Sequence, residues 1–163
     1  AVDALKELNM HRKVQLVVSG GIRTGADVAK AIAMGADAVS IGSAAMMALN
    51  CNADLYVEDY KKLGTEPGYC HHCHTGRCPV GVATQDPVLR SRLDPTEAAD
   101  RVYNLLSTMT LECQMLARAC GKTNIHSLEP EDLAALTMES SAMAKVPLAG
   151  TDLTVGVDNY HSI

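Results

Sequence analysis

The chain has 163 residues, of which 47% are hydrophobic, and its formal net charge is −5. The length is typical of one domain, and no apolar run approaches the roughly 18 residues of a membrane-spanning helix. The acidic balance argues against nucleic-acid binding. Phe and Trp are absent, so the core must be built from small aliphatic side chains and Met. Because the sequence begins with Ala1 inside a helix-like pattern, without a start Met or a signal peptide, we expect a piece of a longer protein.

Strand and helix patterns alternate in the first part of the chain. Two short apolar runs bounded by glycine read as buried strands, and periodic segments with helix-capping residues follow each of them. Continuous apolar strands in the order βαβα indicate a parallel sheet covered on both faces, which is an α/β fold. The predicted elements are a helix end over 2–10, a strand over 14–19, a helix from Thr24 to before Gly35, a strand over 38–41 and a helix over 43–49.

Glycine-containing turns follow both predicted strands. In a parallel sheet both turns lie at the C-terminal edge, where α/β proteins bind ligands. Glycine lets backbone amides approach an anion closely, and Arg23 can donate two hydrogen bonds to it. The alternative is that the glycines only make tight turns. We predict a phosphate site formed by Ser19, Gly20, Gly21, Arg23, Gly42 and Ser43.

Residues 17–28 and 35–42 resemble the last two repeats of flavin-binding (β/α)8 TIM barrels of the glutamate synthase type. Inosine monophosphate dehydrogenases carry a similar stretch, so this part alone leaves both families open. The resemblance implies that residues 1–50 are the last two repeats of such a barrel. It also implies that the phosphate belongs to FMN or to another nucleotide-like group.

A cysteine-rich segment follows a polar, turn-rich stretch that we interpret as a surface insertion over 51–69. Cys70, Cys73 and Cys78 have the spacing C-x2-C-x4-C, and Pro79 follows as in iron–sulfur motifs. Without a visible secretory signal, bound metal in a reducing compartment is favoured over disulfides. Three thiolates suit a [3Fe–4S] cluster, whereas a [4Fe–4S] cluster or zinc needs a fourth ligand. Three neighbouring histidines, His71, His72 and His74, could each offer a fourth ligand to zinc. The alternative is a loop whose three thiols bind no metal.

Residues 73–87 resemble the iron–sulfur loop of glutamate synthases, which has no counterpart in inosine monophosphate dehydrogenases. In that family a [3Fe–4S] cluster beside FMN is held by C-x5-C-x4-C. Cys73 and Cys78 match the last two ligands, but Pro67 stands where the first is expected. Cys70, favoured for its proximity, and Cys51, displaced by the insertion, are the alternatives for the first ligand. If both bind, a four-thiolate cluster becomes possible, and the histidines are interpreted as hydrogen-bond donors to sulfur.

The C-terminal part is predicted to be helical. Asp94 and Pro95 begin a long helix that should run to Cys120, with Cys113 and Cys120 on its buried face. A last helix is predicted from Pro130 to near Ala144. The predicted organisation is therefore an iron–sulfur loop over 70–93, a helical cap over 94–145 and an irregular tail over 146–163.

The resemblance covers roughly residues 14–140, and its C-terminal end is most similar to stand-alone glutamate synthase-like subunits. These include the FMN subunit of N-methylglutamate synthase, also called methylamine–glutamate N-methyltransferase. It implies the C-terminal part of a cytoplasmic, oligomeric oxidoreductase that is inactive as a fragment.

In such an enzyme, FMN and the iron–sulfur cluster reduce an imine formed from 2-oxoglutarate and an amine or ammonia, giving glutamate or an N-substituted glutamate. An electron donor and amidotransferase-type subunits are the implied partners, and no catalytic residue is predicted. Two alternatives remain: a nucleotide-phosphate barrel of the inosine monophosphate dehydrogenase type, and a non-catalytic, metal-stabilised module.

Overall fold

A computed structural model describes residues 1–51 and 53–157, and the chain divides into two compact units. The first unit consists of residues 1–40 and the chain from 109 onward, and the second consists of residues 41–108. Short 3-10 turns lie at Asp54–Tyr56, Cys73–Thr75, Ile125–Ser127 and Pro130–Asp132. The helices and strands are α1 (Val2–Glu7), β1 (Val17–Ser19), α2 (Gly25–Ala33), β2 (Ala38–Ser40), α3 (Gly42–Ala48), α4 (Val57–Lys62), α5 (Pro87–Arg90), α6 (Pro95–Ala119) and α7 (Met138–Ala144).

The sheet of the first unit is a parallel pair. β1 and β2 align with Ser19 opposite Ser40, so both strands end at the same edge, as predicted. Both are shorter than predicted, and Val17 is 61% exposed. In both strands the first and third residues are exposed, and these two share one face because side chains alternate along a strand. The expectation that both faces are covered is therefore wrong for the described part of both strands. The parallel strand pair with a helix between its strands confirms the α/β class, and the eight-stranded barrel stays a prediction.

α2 begins and ends where local sequence signals predict. The Thr24 hydroxyl accepts a hydrogen bond from the Asp27 amide (3.3 Å), and the Asp27 carboxylate accepts one from the Thr24 amide (3.2 Å). This reciprocal pair is a capping box. After the helix, Gly35 has φ +101°, a conformation that glycine adopts without strain.

α2 packs closely on the C-terminal half of α6. Ala29 and Ala33 lie with Ala117 and Leu128 in the core of the first unit. The Gly25 amide donates to a Glu112 carboxylate oxygen at 2.6 Å, and a Cβ at Gly25 would collide with the Met109 carbonyl oxygen. Small residues therefore let these segments approach, which fits a core without Phe or Trp.

The long helix α6 is confirmed almost to the residue. The Asp94 carboxylate caps it by accepting from the Thr96 amide at 2.8 Å, and Gly121 (φ +72°) follows its end. Cys113 is buried as predicted, but Cys120 is exposed, contrary to the prediction. The helix ends at Ala119, so Cys120 belongs to the turn rather than to the buried face.

The predicted helix from Pro130 to Ala144 is wrong in its first half. Only one 3-10 turn forms after Pro130, and the backbone of Ala135 then bonds to the segment around Leu148. These hydrogen bonds replace those of a continuous helix. α7 starts afresh, with the Thr137 hydroxyl accepting from the Ser140 amide at 3.1 Å. Of the predicted tail, Val146 is buried, and residues 158–163 lie outside the described part.

The second unit has a core built around the cysteine loop. Tyr60 of α4 is 1% exposed and packs with Cys78 and Val80. The segment predicted as a surface insertion thus contributes the largest side chain of this core. α3, predicted over 43–49, is tied to α6 because the Arg101 Nε donates to the Ala48 carbonyl at 3.0 Å. In the described part of the chain, no helix is both long and apolar enough to cross a membrane.

Candidate functional site

A cavity in the second unit brings together most of the predicted metal ligands. Cys51, Cys70 and Cys73 line a volume of about 210 Å³. α3 contributes the other large side chains of the wall, and the remaining lining residues are Ser43, Met46, Met47 and Gly68. The two alternatives for the first ligand, Cys51 and Cys70, therefore face one space, and Ser43, predicted to bind phosphate, borders it as well.

Cys78 lies beside the cavity in the protein core. It is 7% exposed and belongs to one hydrophobic cluster with Tyr60, against which Cys70 packs. Burial raises the pKa of the Cys51 thiol, and the nearby Cys73, Cys78 and Cys70 raise it further. The other three thiols are thus close enough to Cys51 to act on it electrostatically.

The four thiols differ from a site for a single metal ion. Among residues 1–51 and 53–157, no three His, Cys, Asp or Glu side chains converge as ligands of one ion. Thiolates on one tetrahedral zinc lie about 3.8 Å apart, given Zn–S bonds of about 2.3 Å. In an iron–sulfur cluster the thiolates bind different irons and surround a larger group. A sulfur-rich cavity walled by Met side chains fits such a cluster in the type and number of its donors.

Tyr60 fixes the backbone at one of the cysteines. Its hydroxyl donates to the Cys51 carbonyl oxygen at 2.6 Å. Burial, together with the nearby thiols of Cys51, Cys70 and Cys78, raises the pKa of Tyr60 to about 12. The hydroxyl therefore remains a protonated donor at neutral pH. No sequence pattern indicates this role, because Tyr60 lies in a polar segment without an apolar period.

Arg92 joins the cysteine loop to α4. Its Nη1 donates to the Asp59 carboxylate and to the Pro79 carbonyl oxygen, both at 2.7 Å. The guanidinium also lies 4.4 Å from the centre of the Tyr56 ring. Hydrogen bonds from Lys62 and then Arg92 lower the pKa of Asp59. Since Pro79 follows Cys78 directly, Arg92 fixes the loop next to that cysteine, a role that the sequence did not predict.

The histidines of the loop have distinct surroundings. His72 Nε2 lies 3.0 Å from the Leu63 carbonyl oxygen, which can only accept, so Nε2 carries the proton. The other ring nitrogen, Nδ1, is buried and has no hydrogen-bond partner among the described residues. The Nε2 proton of His72 is thus not available to a sulfur atom. His71 stacks on His72, with ring centres 4.7 Å apart, and His74 is exposed.

The predicted phosphate residues are divided between the two units, each described by itself. In the first unit, Gly20 (φ +103°) and Gly21 (φ +72°) follow β1, and their backbone conformation favours glycine. Asp27 accepts hydrogen bonds from the amides of Arg23 (3.1 Å) and Thr24. The Asp27 carboxylate thus already occupies these two donors, which leaves the amides of the glycines and the Arg23 side chain to bind an anion.

Gly42 starts α3 in the second unit. Its φ is not positive, and a Cβ added there would have no neighbour within 4 Å. Neither the backbone nor the packing of the described residues requires glycine at this position. A ligand that approaches the backbone closely would require it.

Comparisons with known proteins point to one family. A family model described as "Conserved region in glutamate synthase" matches residues 1–123. A "Glutamate synthase large subunit-like protein" of Rhizobium meliloti (strain 1021) is 62% identical over 160 residues, which are 98% of this chain and 36% of that protein. An archaeal glutamate synthase (NADPH) of Methanocaldococcus jannaschii is 45% identical over 129 residues, which are 78% of this chain and 22% of that protein.

A ferredoxin-dependent glutamate synthase of Cyanidium caldarium is 42% identical over 88 residues, which are 54% of this chain and 5% of that protein. The chain therefore spans about a third or less of the length of these relatives. No solved structure matches it.

Proposed function

The chain belongs to the glutamate synthase family, and we propose that it is the C-terminal part of an oxidoreductase that makes glutamate or an N-substituted glutamate. The substrates are 2-oxoglutarate and either ammonia or another amine, such as methylamine. The observation that carries this proposal is the cavity lined by Cys51, Cys70 and Cys73, with Cys78 beside it. Such a set of thiols suits an iron–sulfur cluster, for which the resemblance implies the [3Fe–4S] form.

We assign FMN to the glycine turns. Gly20, Gly21 and Gly42 would let backbone amides approach its phosphate, with Arg23 as the cation and Ser19 and Ser43 as hydroxyl donors. The open space at the Cβ position of Gly42 supports this assignment. Asp27 supports it indirectly, since it orients the backbone of Arg23. The residues around the flavin ring are expected on earlier strands of a (β/α)8 barrel.

The thiol cavity would hold the cluster, which lies beside the flavin in the family that the chain resembles. When bound, the two groups supply one-electron transfer and hydride transfer to an imine, while the protein positions them and excludes water. Met46 and Met47 give the cavity an apolar wall. Tyr60 and Arg92 hold the backbone beside Cys51 and Cys78, so the thiols are positioned before the group binds.

The whole protein is proposed to be cytoplasmic and oligomeric. Its proposed partners are an electron donor for the cluster and amidotransferase-type subunits that supply nitrogen. The names of the relatives support a further subunit and an electron donor, since one is called large subunit-like and others carry NADPH or ferredoxin-dependent in their names.

The test is the cofactor content of the full-length protein, produced and purified without oxygen. We expect iron, acid-labile sulfide and one FMN per chain. Protein without iron or flavin but with one zinc would refute the proposal and favour a metal-stabilised module. Flavin-free protein that binds a nucleoside monophosphate and contains no iron would favour the inosine monophosphate dehydrogenase type.

The phosphate residues are tested by Gly42→Ala and Arg23→Gln. Gly42→Ala places a methyl group in open space, so the fold should be unaffected while the affinity for FMN falls at least tenfold. Arg23→Gln removes the cation and should weaken FMN binding to a similar extent. Arg12→Gln is the matched control, because Arg12 is an exposed arginine of the same unit that precedes β1. Equal FMN affinity in all three variants would contradict the assignment.

A further inference from the structure

We infer that Cys51 and Cys70 bind the cluster together, so that four thiolates, from Cys51, Cys70, Cys73 and Cys78, hold a [4Fe–4S] cluster. This inference rests on the proposed function and deepens it, since the resemblance implies three thiolates and a three-iron cluster. It concerns only residues of the second unit.

The placement of the cysteines carries the argument. In sequence, Cys51 and Cys70 compete for one ligand position because an insertion separates them. In space they do not compete, since both line the same cavity together with Cys73. Cys78 completes the set, because it shares a core with Tyr60 against which Cys70 packs. A [4Fe–4S] cluster needs four thiolates. Cys51, Cys70 and Cys73 line the cavity, and Cys78, which matches the last ligand of the resembled family, belongs to the buried cluster against which Cys70 packs.

The backbone of Cys51 is fixed on both sides. Its amide donates to the Met46 carbonyl at 3.0 Å, while the Asn50 amide donates to the Met47 carbonyl at 2.9 Å. With Asn50 at φ +65°, these two bonds form the helix-ending Schellman motif of α3. The Cys51 carbonyl accepts from the Tyr60 hydroxyl. Both polar backbone groups are thus occupied in a residue that lines the cavity.

The folding of residues 54–62 explains why the insertion does not remove Cys51 from the site. The chain turns through the 3-10 segment and α4, and Tyr60 returns to the Cys51 carbonyl. Arg92 then holds α4 against the carbonyl next to Cys78. The insertion thus closes a loop whose two ends, Cys51 and Cys70, both reach the cavity.

His72 is the competing fourth ligand. Its Nδ1 is buried and unpartnered, and Nε2 donates to a backbone carbonyl, an arrangement that orients many metal-binding histidines. However, Cys51 is part of the cavity lining and His72 is not. A matched set of variants therefore separates the two.

The experiment compares the full-length wild-type protein with Cys51→Ser, His72→Ala and Cys120→Ser, all purified without oxygen. Cys120 is an exposed thiol of the other unit and serves as the control. We expect about four irons and four sulfides per wild-type chain, with an oxidised cluster that gives no EPR signal. Cys51→Ser should contain about three irons and show the near-isotropic EPR signal of an oxidised three-iron cluster. The other two variants should resemble the wild type.

A labelling experiment on the wild type avoids any folding defect of the variants. Alkylation followed by peptide mass spectrometry should leave Cys51 unmodified in the cluster-containing protein and modify it after the iron is removed by chelation. Alkylation of Cys51 with the cluster in place would overturn the inference. A three-iron wild type that is unchanged by Cys51→Ser, or conversion by His72→Ala alone, would also overturn it while leaving the proposed function intact. Protein without iron or sulfide would instead refute the proposed function.

Discussion

Replacing Gly81 by alanine tests how tightly the cysteine loop is locked to α5. Gly81 is buried three residues after Cys78 and has φ +81°. An added Cβ would collide with the Leu89 carbonyl oxygen and lie 3.2 Å from the Leu93 amide nitrogen. The left-handed backbone costs a non-glycine residue about 1–2 kcal/mol, and overpacking against fixed atoms costs about 1–3 kcal/mol more. We therefore expect Gly81→Ala to destabilise the loop by about 2–5 kcal/mol.

Gly76→Ala is the matched control. Gly76 has a similar φ of +73° in the same loop, but a Cβ added there meets nothing within 4 Å. Only the backbone cost of about 1–2 kcal/mol applies to it. The difference between the two variants isolates the collision with the backbone around Leu89.

Hydrogen–deuterium exchange of the peptide that spans residues 78–93 measures the local opening in the full-length protein. Because 1.4 kcal/mol corresponds to a factor of ten, amides in Gly81→Ala should exchange between about 5-fold and 100-fold faster than in Gly76→Ala. Iron should also be released faster from Gly81→Ala. Equal exchange in both variants would refute the argument that close packing against α5, rather than backbone conformation alone, fixes the loop at Cys78.

Three further predictions concern pH and packing. The ordinary pKa of Tyr60 is 10, and the folded protein raises it to about 12. The stabilisation by its protonated hydroxyl should therefore be complete below pH 10 and be lost between pH 10 and 12 in urea unfolding, and Tyr60→Phe should remove this dependence. For Asp27, a hydrogen bond from Lys30, followed by bonds from Arg23 and Thr24, lowers the pKa from 3.8 to about 2. Its stabilisation should thus be present above pH 3.8 and be lost as the pH falls to 2; thermal melting of Asp27→Asn should lack this step, and a step that persists would contradict the assignment. Gly25→Ala should lower the unfolding free energy by about 1–3 kcal/mol, measured by urea denaturation, because its Cβ meets the backbone of α6; an unchanged midpoint would show that α6 can move away.

The elements that could be predicted from the sequence are those whose ends carry local signals. Thr24, Asp27 and Gly35 bound α2, and Asp94 with Gly121 bound α6, since capping residues act within one turn of the helix. The failed helix after Pro130 has a good start signal too. There, hydrogen bonds between Ala135 and the later segment around Leu148 override the local preference, and such partners cannot be read from a pattern.

The candidate site shows the same limit. The spacing of Cys70, Cys73 and Cys78 indicated a metal-binding segment and left Cys51 as an alternative. Whether Cys51 shares the cavity depends on how the residues between it and Cys70 fold, and the hydrogen bond from Tyr60 to the Cys51 carbonyl is one of the contacts that hold it there. Tyr60 and Arg92 sit in polar segments without an apolar period, so no pattern marks them as parts of the core.

The hydrogen bonds of Arg92 have a consequence for protein engineering. One guanidinium nitrogen serves both Asp59 in α4 and the Pro79 carbonyl in the cysteine loop. The two segments are therefore linked structurally, although in the sequence one looks like an insertion and the other like a separate metal-binding motif. A transplant of the motif into another scaffold should carry residues 51–92 as one cassette. A graft limited to residues 70–87 would lack Arg92, which holds the backbone next to Cys78, and would also lack Cys51.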